Sequence, residues 1–418
     1  MNIELVTIGD ELLLGLTIDT NAAWLARALA ADGVRIVRRA TVGDEADHIV
    51  SAVRDALDRT GGVITTGGLG PTADDLTKPS IAALFGREML FDAERWEALK
   101  RLWRERGRPG ELPESNRQQV MIPAGAHVLN NRHGTAPGIF LEDERGRWVA
   151  MLPGVPREMR GLFDDELREV VLARLHGDRQ VIRSQIVRTT GVSESLLPEL
   201  LGDAARGLDG MSLAYLPGQE GVDLRLTIRG TSAAEADARL AAGAQIVAAR
   251  VGTYVYARGA PDLAEVVLSA CREAQHRLAV AESCTGGLLG ARLTAIPGAS
   301  DVVLGGVIAY DNVVKRELLG VPEAMLIAKG AVSDEAARAM AAGVRQLLDA
   351  DIGVGITGVA GPGGGSEEKP VGLVYIAVDC RGAVTTFGGK LIGDREEVRF
   401  RATQVALELV RRALHAAG

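Results

Sequence analysis

Apolar and polar residues follow two rhythms along this chain: short unbroken apolar runs, and longer stretches with an apolar residue every three or four positions. Residues 3–9, IELVTIG, form such a run and end on Gly9. The following DTNAAWLARALAADG opens with capping residue types, closes at Gly33 and sets Trp24, Leu25, Ala28 and Leu29 on one face, which predicts a helix. VRIVRRATVGD predicts a strand, and DEADHIVSAVRDALDRTGG carries Ile49, Val50, Val53 and Leu57 on a helical stripe before the buried strand VITT. Strands alternating with amphipathic helices predict a parallel sheet covered on both faces. Two glycine–proline loops, NNRHGTAPGIF (130–140) and AMLPGVPREM (150–159), each stand beside an apolar run and extend this first α/β domain over residues 1–175.

The texture then changes. Over residues 180–256, SQIVRTTG, VDLRLTIRG and GTYVYARG read as alternating strands and SAAEADARLAAGAQIVAARVG as one helix, a small α+β module expected to be a spacer or dimerisation element. Residues 258–418 return to α/β order. PDLAEVVLSACREAQ is helical with Pro261 near its start, RLAVAES is a strand, and CTGGLLGARLTAI opens the next helix. VVLGGVIAY and DIGVGITG read as buried strands, GLVYIAVD and GAVTTFGGKLIG as strands about a turn, and DREEVRFRATQVALELVRRAL as a closing helix. The expected fold class is therefore α/β: two three-layer domains with parallel-rich sheets, joined by the small module.

Composition narrows the function classes. A chain of 418 residues exceeds one ordinary core. A net charge of −8 argues against bulk nucleic-acid binding, although a local pocket on an acidic protein can still take a small anion. Cys271, Cys284 and Cys380 make an odd count without a CxxC pair, so neither a disulfide framework nor a zinc knuckle is expected. No apolar run reaches about 18 residues and no basic stretch precedes the first one, so a cytoplasmic protein away from membranes is expected.

In the first domain the chemistry gathers at strand ends. VITTGGLGPTADDLTK follows a buried strand, and Gly67, Gly68 and Gly70 would let the backbone approach a phosphate. Asp74 and Asp75 are candidates for a hard divalent cation and Lys78 for phosphate charge, or one aspartate simply caps the next helix. Asp10 and Glu11 follow the first strand and Asp44 and Glu45 the second, so three neighbouring strands deliver carboxylates to one sheet edge. The histidines (48, 127, 133, 176, 276, 415) show no HxH or HExxH spacing, which favours magnesium, manganese or cobalt over zinc.

In the last domain VAESCTGG puts Ser283 on a strand-to-helix turn before Gly286 and Gly287, where helix N–H groups can stabilise an oxyanion. An N-cap is the plainer reading of Ser283 or Thr285. IPGAS adds Ser300, and IAYDNVVK adds Tyr310, Asn312 and Lys315. An exposed pair with Asp311, four residues earlier, would explain Lys315 without function. With no histidine nearby, a lysine of lowered pKa is the available base. ITGVAGPGGGSEEKPVG, with Thr357, Gly358 and Gly361, suits ribose or phosphate or is a surface loop. Arg395 is either a phosphate ligand or a first-turn arginine.

GDELLLGLTIDTN, TVGD, TTGGLGPTADDLT and LPGVPREM resemble the N-terminal domain of the CinA (competence/damage-inducible protein) family, which is similar to the molybdopterin-binding fold. That resemblance, over about residues 1–170, implies metal-dependent hydrolysis of ADP-ribose to AMP and ribose 5-phosphate, with functional aspartates at Asp75 and Asp44. AESCTGG, PGAS, YDNVVK, GAVS, ITGVAGPGGGSEEKPVG and GDR resemble the family's C-terminal, nicotinamide mononucleotide deamidase domain. This implies a metal-free serine–lysine mechanism with Ser300 and Lys315 reacting, Ser283, Tyr310 and Arg395 supporting, and Ser283 as the fallback nucleophile, because Ala299 stands where the family often has a second serine. A bifunctional pyridine-nucleotide recycling enzyme, expected to be a homodimer, is the resulting reading. Its rivals are a molybdopterin-type binding protein without catalysis and a competence or DNA-damage adaptor.

Overall fold

The structure, a computed structural model, describes residues 1–175 and 181–417; His176 lies outside them. It divides into two compact units, Met1–Arg183 with Ile228–Asp237, and Ser184–Thr227 with Ala238–Gly418.

The first unit is built on β1 (Asn2–Ile8), α1 (Thr20–Ala31), β2 (Arg35–Val42), α2 (Ala46–Thr60), β3 (Gly62–Thr66), α3 (Thr77–Leu84), β4 (His127–Leu129), β5 (Gly138–Glu142), β6 (Trp148–Leu152) and α4 (Pro156–Leu162). The sheet runs β2-β1-β3-β6-β5-β4. Its first four strands are parallel, whereas β5 runs against both neighbours and makes the far edge antiparallel. Successive side chains of β1 point to opposite faces. Ile3 and Leu5 therefore pack with Leu25, Leu29 and Phe163 in one core, while Val6 and Ile8 pack with Ile49, Val53 and Leu57 in the other. The helical stripe read from the sequence is this second core's wall, with Val50 only half-buried.

After β2 the chain crosses back over β1 to β3, so the connections diverge between β1 and β3, where open α/β sheets hold ligands. Gly67 sits at this switch point with φ +106°, and a β-carbon there would run into the Ile8 carbonyl oxygen. Its N–H donates to Leu152 O at 3.0 Å.

A small sheet of β7 (Val181–Thr189), β8 (Ser212–Pro217), β9 (Val222–Thr231) and β10 (Val255–Arg258) is ordered β8-β9-β7-β10, with α5 (Ala233–Val251) beside it in sequence. Within the second unit Gln404 Nε2 donates to Glu220 O at 2.9 Å, Arg411 Nη2 to Thr253 O at 2.7 Å and Arg188 Nη1 to Pro261 O at 3.1 Å. The first two bonds tie the module to the C-terminal helix and the third to the segment before α6.

The rest of that unit comprises α6 (Leu263–Ala274), β11 (Leu278–Glu282), α7 (Leu288–Thr294), β12 (Val303–Ile308), α8 (Asn312–Glu317), α9 (Asp334–Leu347), β13 (Ile352–Gly358), β14 (Leu373–Cys380), β15 (Ala383–Lys390) and α10 (Arg395–Ala417). Its sheet order, β12-β11-β13-β14-β15, again diverges beside the first strand, here between β11 and β13. β12, β11 and β13 are parallel, and β14 and β15 form an antiparallel hairpin. The sequence expectation of a buried strand at VVLGGVIAY is corrected: the sheet ends at β12, leaving Gly306 and Ile308 exposed.

Gly67→Ala should destabilise the first unit by at least about 1–3 kcal/mol, the cost of a strained backbone conformation, and denaturant unfolding would measure it. An unchanged midpoint would mean that the turn does not pass so close to β1.

Candidate functional site

In the first unit the carboxylates converge unequally. Asp10 N donates to Asp44 Oδ2 at 2.9 Å and Asp44 N to Asp10 Oδ1 at 3.3 Å, so the loops after β1 and β2 clasp each other. Partial burial raises the Asp44 pKa, and the Asp10, Glu11 and Asp74 charges add to that rise. Such crowding is what a cation relieves. Asp75 is placed otherwise than expected of a metal ligand. Its oxygens accept Gly70 N at 2.7 Å, Thr72 N at 2.8 Å and Thr72 Oγ1 at 2.6 Å, so this carboxylate shapes the GGLGPT loop from within. Asp74 stays exposed.

The glycines are also set by the loop's own packing: a β-carbon on Gly68 would meet the Thr77 hydroxyl and one on Gly70 the Asp75 carboxylate. The expectation that Lys78 meets phosphate charge is corrected by its burial. It is 1% exposed, and its Nζ donates to Gln118 O at 2.7 Å and Gln119 O at 2.9 Å. Burial pushes its pKa down to about 8 against the pull of Asp75. Among the described residues, no three His, Cys, Asp or Glu side chains are gathered to hold a metal. Asp10 and Asp44 nevertheless fit a magnesium-like ion, which commonly takes one or two carboxylates and completes its shell with water and substrate phosphate.

The second unit assembles more of its candidates. Ser283 follows β11, its N–H on Ile356 O at 2.9 Å, and its hydroxyl has no hydrogen-bond partner among the described residues. Sequence reasoning passed over Glu282, although a glutamate closing an otherwise apolar strand must find partners. It is 1% exposed, and its carboxylate accepts Gly287 N at 3.1 Å, Leu289 N at 3.0 Å and Gly290 N at 2.8 Å. The first donors of α7 are thereby taken, so Gly286 and Gly287 form a turn and not an anion cradle. The N–H groups of Cys284 and Thr285 lie ahead of that capped turn; that of Cys284 faces its own sulfur, and no main-chain carbonyl among the described residues accepts from either.

Lys315 is neither exposed nor paired with Asp311, whose carboxylate caps α8 by accepting Val313 N at 2.8 Å. Its Nζ donates to Ala309 O at 2.8 Å and Tyr310 O at 3.2 Å, and burial lowers its pKa. A neutral amine has two hydrogens for those two carbonyls and one lone pair left over. Ala309 N in turn donates to Glu282 O at 2.8 Å, which ties the lysine's segment to the serine's. Burial lifts the Cys284 thiol to about 12, so it stays protonated.

The expected Ser300–Lys315 dyad does not form within one chain. Leu278 pairs with Val303 and Glu282 with Ile308, so Ser300 precedes β12 while Lys315 follows it. A strand of this length separates them by roughly 20 Å. Ser283, the fallback, is the serine at the lysine's end. Arg395 bridges this end, Nη1 to Gly361 O at 2.6 Å and Nη2 to the Tyr310 hydroxyl at 3.3 Å. Thr357 Oγ1 is spent on Ala331 O at 2.7 Å, and a β-carbon on Gly358 would meet Leu373 O. Arg399, one turn beyond Arg395 and also overlooked, donates from Nε and Nη2 to Thr285 O at 3.2 and 2.8 Å.

Two α/β units, each with a glycine turn at its switch point and a buried lysine close by, define a multidomain α/β protein with one candidate site per unit. Family models described as a probable molybdopterin binding domain, a damage-inducible protein CinA KH domain and a CinA C-terminal domain match residues 4–173, 184–257 and 260–414. A CinA-like protein of Gemmatimonas aurantiaca is 58% identical over 413 residues, 99% of this chain and 96% of its own. A putative competence-damage inducible protein of Moorella thermoacetica is 44% identical over 100% of this chain and 99% of its own. Among solved structures, the competence/damage inducible protein CihA from Agrobacterium tumefaciens is 41% identical, covering 37% of this chain and 93% of its own, with a TM-score of 0.36. The chain belongs to the CinA family. Among the described residues no helix is long and apolar enough to cross a membrane.

Lys78 gives a stability test with a definite sign. Its folded pKa lies below the ordinary value of 10.5, so the unfolded chain binds the extra proton between the two values. Stability relative to Lys78→Met should rise from pH 8 to 10.5 by about 3 kcal/mol, and level off below pH 8, where both folded and unfolded chains carry the proton. A pH-independent difference between the two chains would show that the amine is solvated.

Proposed function

We propose that the C-terminal α/β domain hydrolyses the carboxamide of nicotinamide mononucleotide to the acid and ammonia. The observation that carries this reading is the buried Lys315 amine, bonded to two main-chain carbonyls, at the same sheet end as a Ser283 hydroxyl that has no hydrogen-bond partner among the described residues. Ser283 Oγ attacks the carboxamide carbon while its proton passes to the Lys315 lone pair. The Cys284 and Thr285 N–H groups receive the oxyanion. Collapse breaks the C–N bond, and the proton returns from Lys315 to the leaving nitrogen as ammonia departs. Water, deprotonated by Lys315, then cleaves the acyl-serine and frees the acid. Arg395 and Tyr310, linked at the rim, suit the 5′-phosphate.

The N-terminal domain, on this reading, cleaves the pyrophosphate of ADP-ribose. A divalent ion held by Asp10 and Asp44, with Asp74 adding charge, would offset the phosphate negative charge when bound. Asp75 keeps the loop in shape. Binding of a molybdopterin-type ligand without cleavage is the second reading, favoured by the family model over residues 4–173.

Ammonia release from nicotinamide mononucleotide, with and without EDTA, tests the main proposal. Release should persist in EDTA and fall by about 10³-fold or more in Lys315→Met and Ser283→Ala, as for other nucleophile–base pairs. Near-native rates in Lys315→Met would sink the mechanism. Since the neutral amine is the base, kcat/KM should climb with pH toward a plateau reached below the ordinary lysine value of 10.5. A profile flat from pH 6 to 10 would assign the base elsewhere. ADP-ribose cleavage should require added metal and be lost in Asp44→Ala while deamidation survives; cleavage unaffected by that change would remove the aspartates from the proposal.

A further inference from the structure

A cavity of about 570 Å³ in the first unit contains no residue of either candidate site. It lies at the other end of the sheet from the Gly67 turn. Gly62 pairs with Trp148, so the end of α2 and the hairpin turn 143–147 both stand where strands begin. The length of β3 puts about 15 Å between this end and the carboxylates at the switch point. Four arginines reach the cavity from three places: Arg54 on α2, Arg87 just past α3, and Arg145 and Arg147 on the β5–β6 turn. Arg147 is already paired, its Nε donating to Asp143 Oδ2 and its Nη1 to Asp58 Oδ1, both at 2.8 Å. Asp143 also accepts the Arg145 and Arg147 N–H groups, so it shapes the turn that presents Arg145. The Arg54, Arg87 and Arg145 guanidiniums are exposed and have no partner among the described residues. Of the carboxylates lining the cavity, Glu144 alone is not already bonded. Nor are the arginines needed as helix caps, because Gly61 N takes the Leu57 carbonyl and Phe85 N the Ile81 carbonyl. A guanidinium cannot shed its charge. Three around one hollow therefore repel one another until an anion enters.

We propose that this cavity is a separate binding site for a small oligophosphate, a ligand with two or more linked phosphates. A guanidinium fork meets phosphate oxygens two at a time. Three forks held on separate elements match several phosphates better than one. The volume is that of a small-molecule site. Buried Leu57 and half-buried Leu84 and Phe85 give one wall an apolar face, on which the base of a nucleoside diphosphate can rest. A nucleic-acid strand is the poorer occupant, since a chain of net charge −8 repels a long polyanion beyond the cavity itself. The site depends on neither proposed activity.

The test is calorimetric titration of the full chain with ADP and with inorganic pyrophosphate, in EDTA so that metal-dependent binding at Asp10 and Asp44 gives no signal. Both probes should bind, and more weakly as salt rises. Replacing Arg87 and Arg145 together by alanine should weaken binding by about 100-fold, at about 10-fold for each charged hydrogen-bonding group removed. Arg54→Glu, a second variant on a different element, should weaken it by at least about 10-fold. Asp44→Ala and Arg395→Ala, which alter the two candidate sites, should leave this binding unchanged. Tighter binding of ADP would assign a nucleotide and equal affinities the inorganic ion, and either result upholds the oligophosphate site. It is overturned if neither probe binds at millimolar concentration, if the arginine variants bind as the wild type does, or if Asp44→Ala or Arg395→Ala abolishes binding.

Discussion

The second unit turns on a carboxylate that never meets solvent. Glu282 sits at the end of an apolar strand, where an unpaired charge would be prohibitively costly. It is held there by three backbone N–H groups from the start of α7. That capping interaction holds the turn at 283–287, on which the Ser283 hydroxyl has no hydrogen-bond partner among the described residues. It also removes the helix terminus as an anion site, leaving the Cys284 and Thr285 N–H groups ahead of it. From the other side Arg399 grips Thr285 O, so the turn is fixed on both its donor and its acceptor faces. The Glu282 carbonyl receives Ala309 N, so the segment carrying Lys315 is anchored to the same residue.

The two large domains solve one packing problem in the same way. In each, the second strand lies on one side of the first and the third on the other, so a gap opens where the connections part. Each places close by a lysine whose ammonium is stripped of water and offered two main-chain carbonyls. The surroundings then differ. Lys78 follows a loop already organised by Asp75, and its amine is spent on the Gln118 and Gln119 carbonyls, bracing that segment. Lys315 lies at the sheet end that carries Ser283, whose hydroxyl has no hydrogen-bond partner among the described residues, so on the proposed reading its amine has a proton to accept. The same buried side chain thus meets different neighbours in the two units, a self-bonded loop in one and a turn with a free hydroxyl in the other.

Much of this was legible in the residues. Alternating runs and stripes located the strands and helices of both α/β domains, because burial on two faces demands continuous apolar runs and burial on one face demands a helical stripe. The clustering of Asp10, Asp44 and Asp74 at one edge was likewise readable, since parallel strands bring all their C-terminal ends to the same side. The roles of Asp75 and Lys78 were not readable. A carboxylate turned outward toward a cation and one turned inward onto amides have the same spelling, and only the loop's three-dimensional closure distinguishes them. Glu282 and Arg399 escaped notice for a related reason: each acts on backbone groups, which every sequence possesses equally.

By itself, then, the sequence determined the order of elements, the two α/β cores and the set of polar residues delivered to each sheet edge, because periodicity and strand direction are local properties of the chain. The tertiary structure alone decided which of those residues meet. It put Ser300 and Lys315 at opposite ends of one strand, since strand pairing register, unlike motif order, fixes distance. It also turned a run that reads as a buried strand into an open edge. An apolar strand needs a neighbour on each side, and how many neighbours the sheet supplies is a property of the assembled fold.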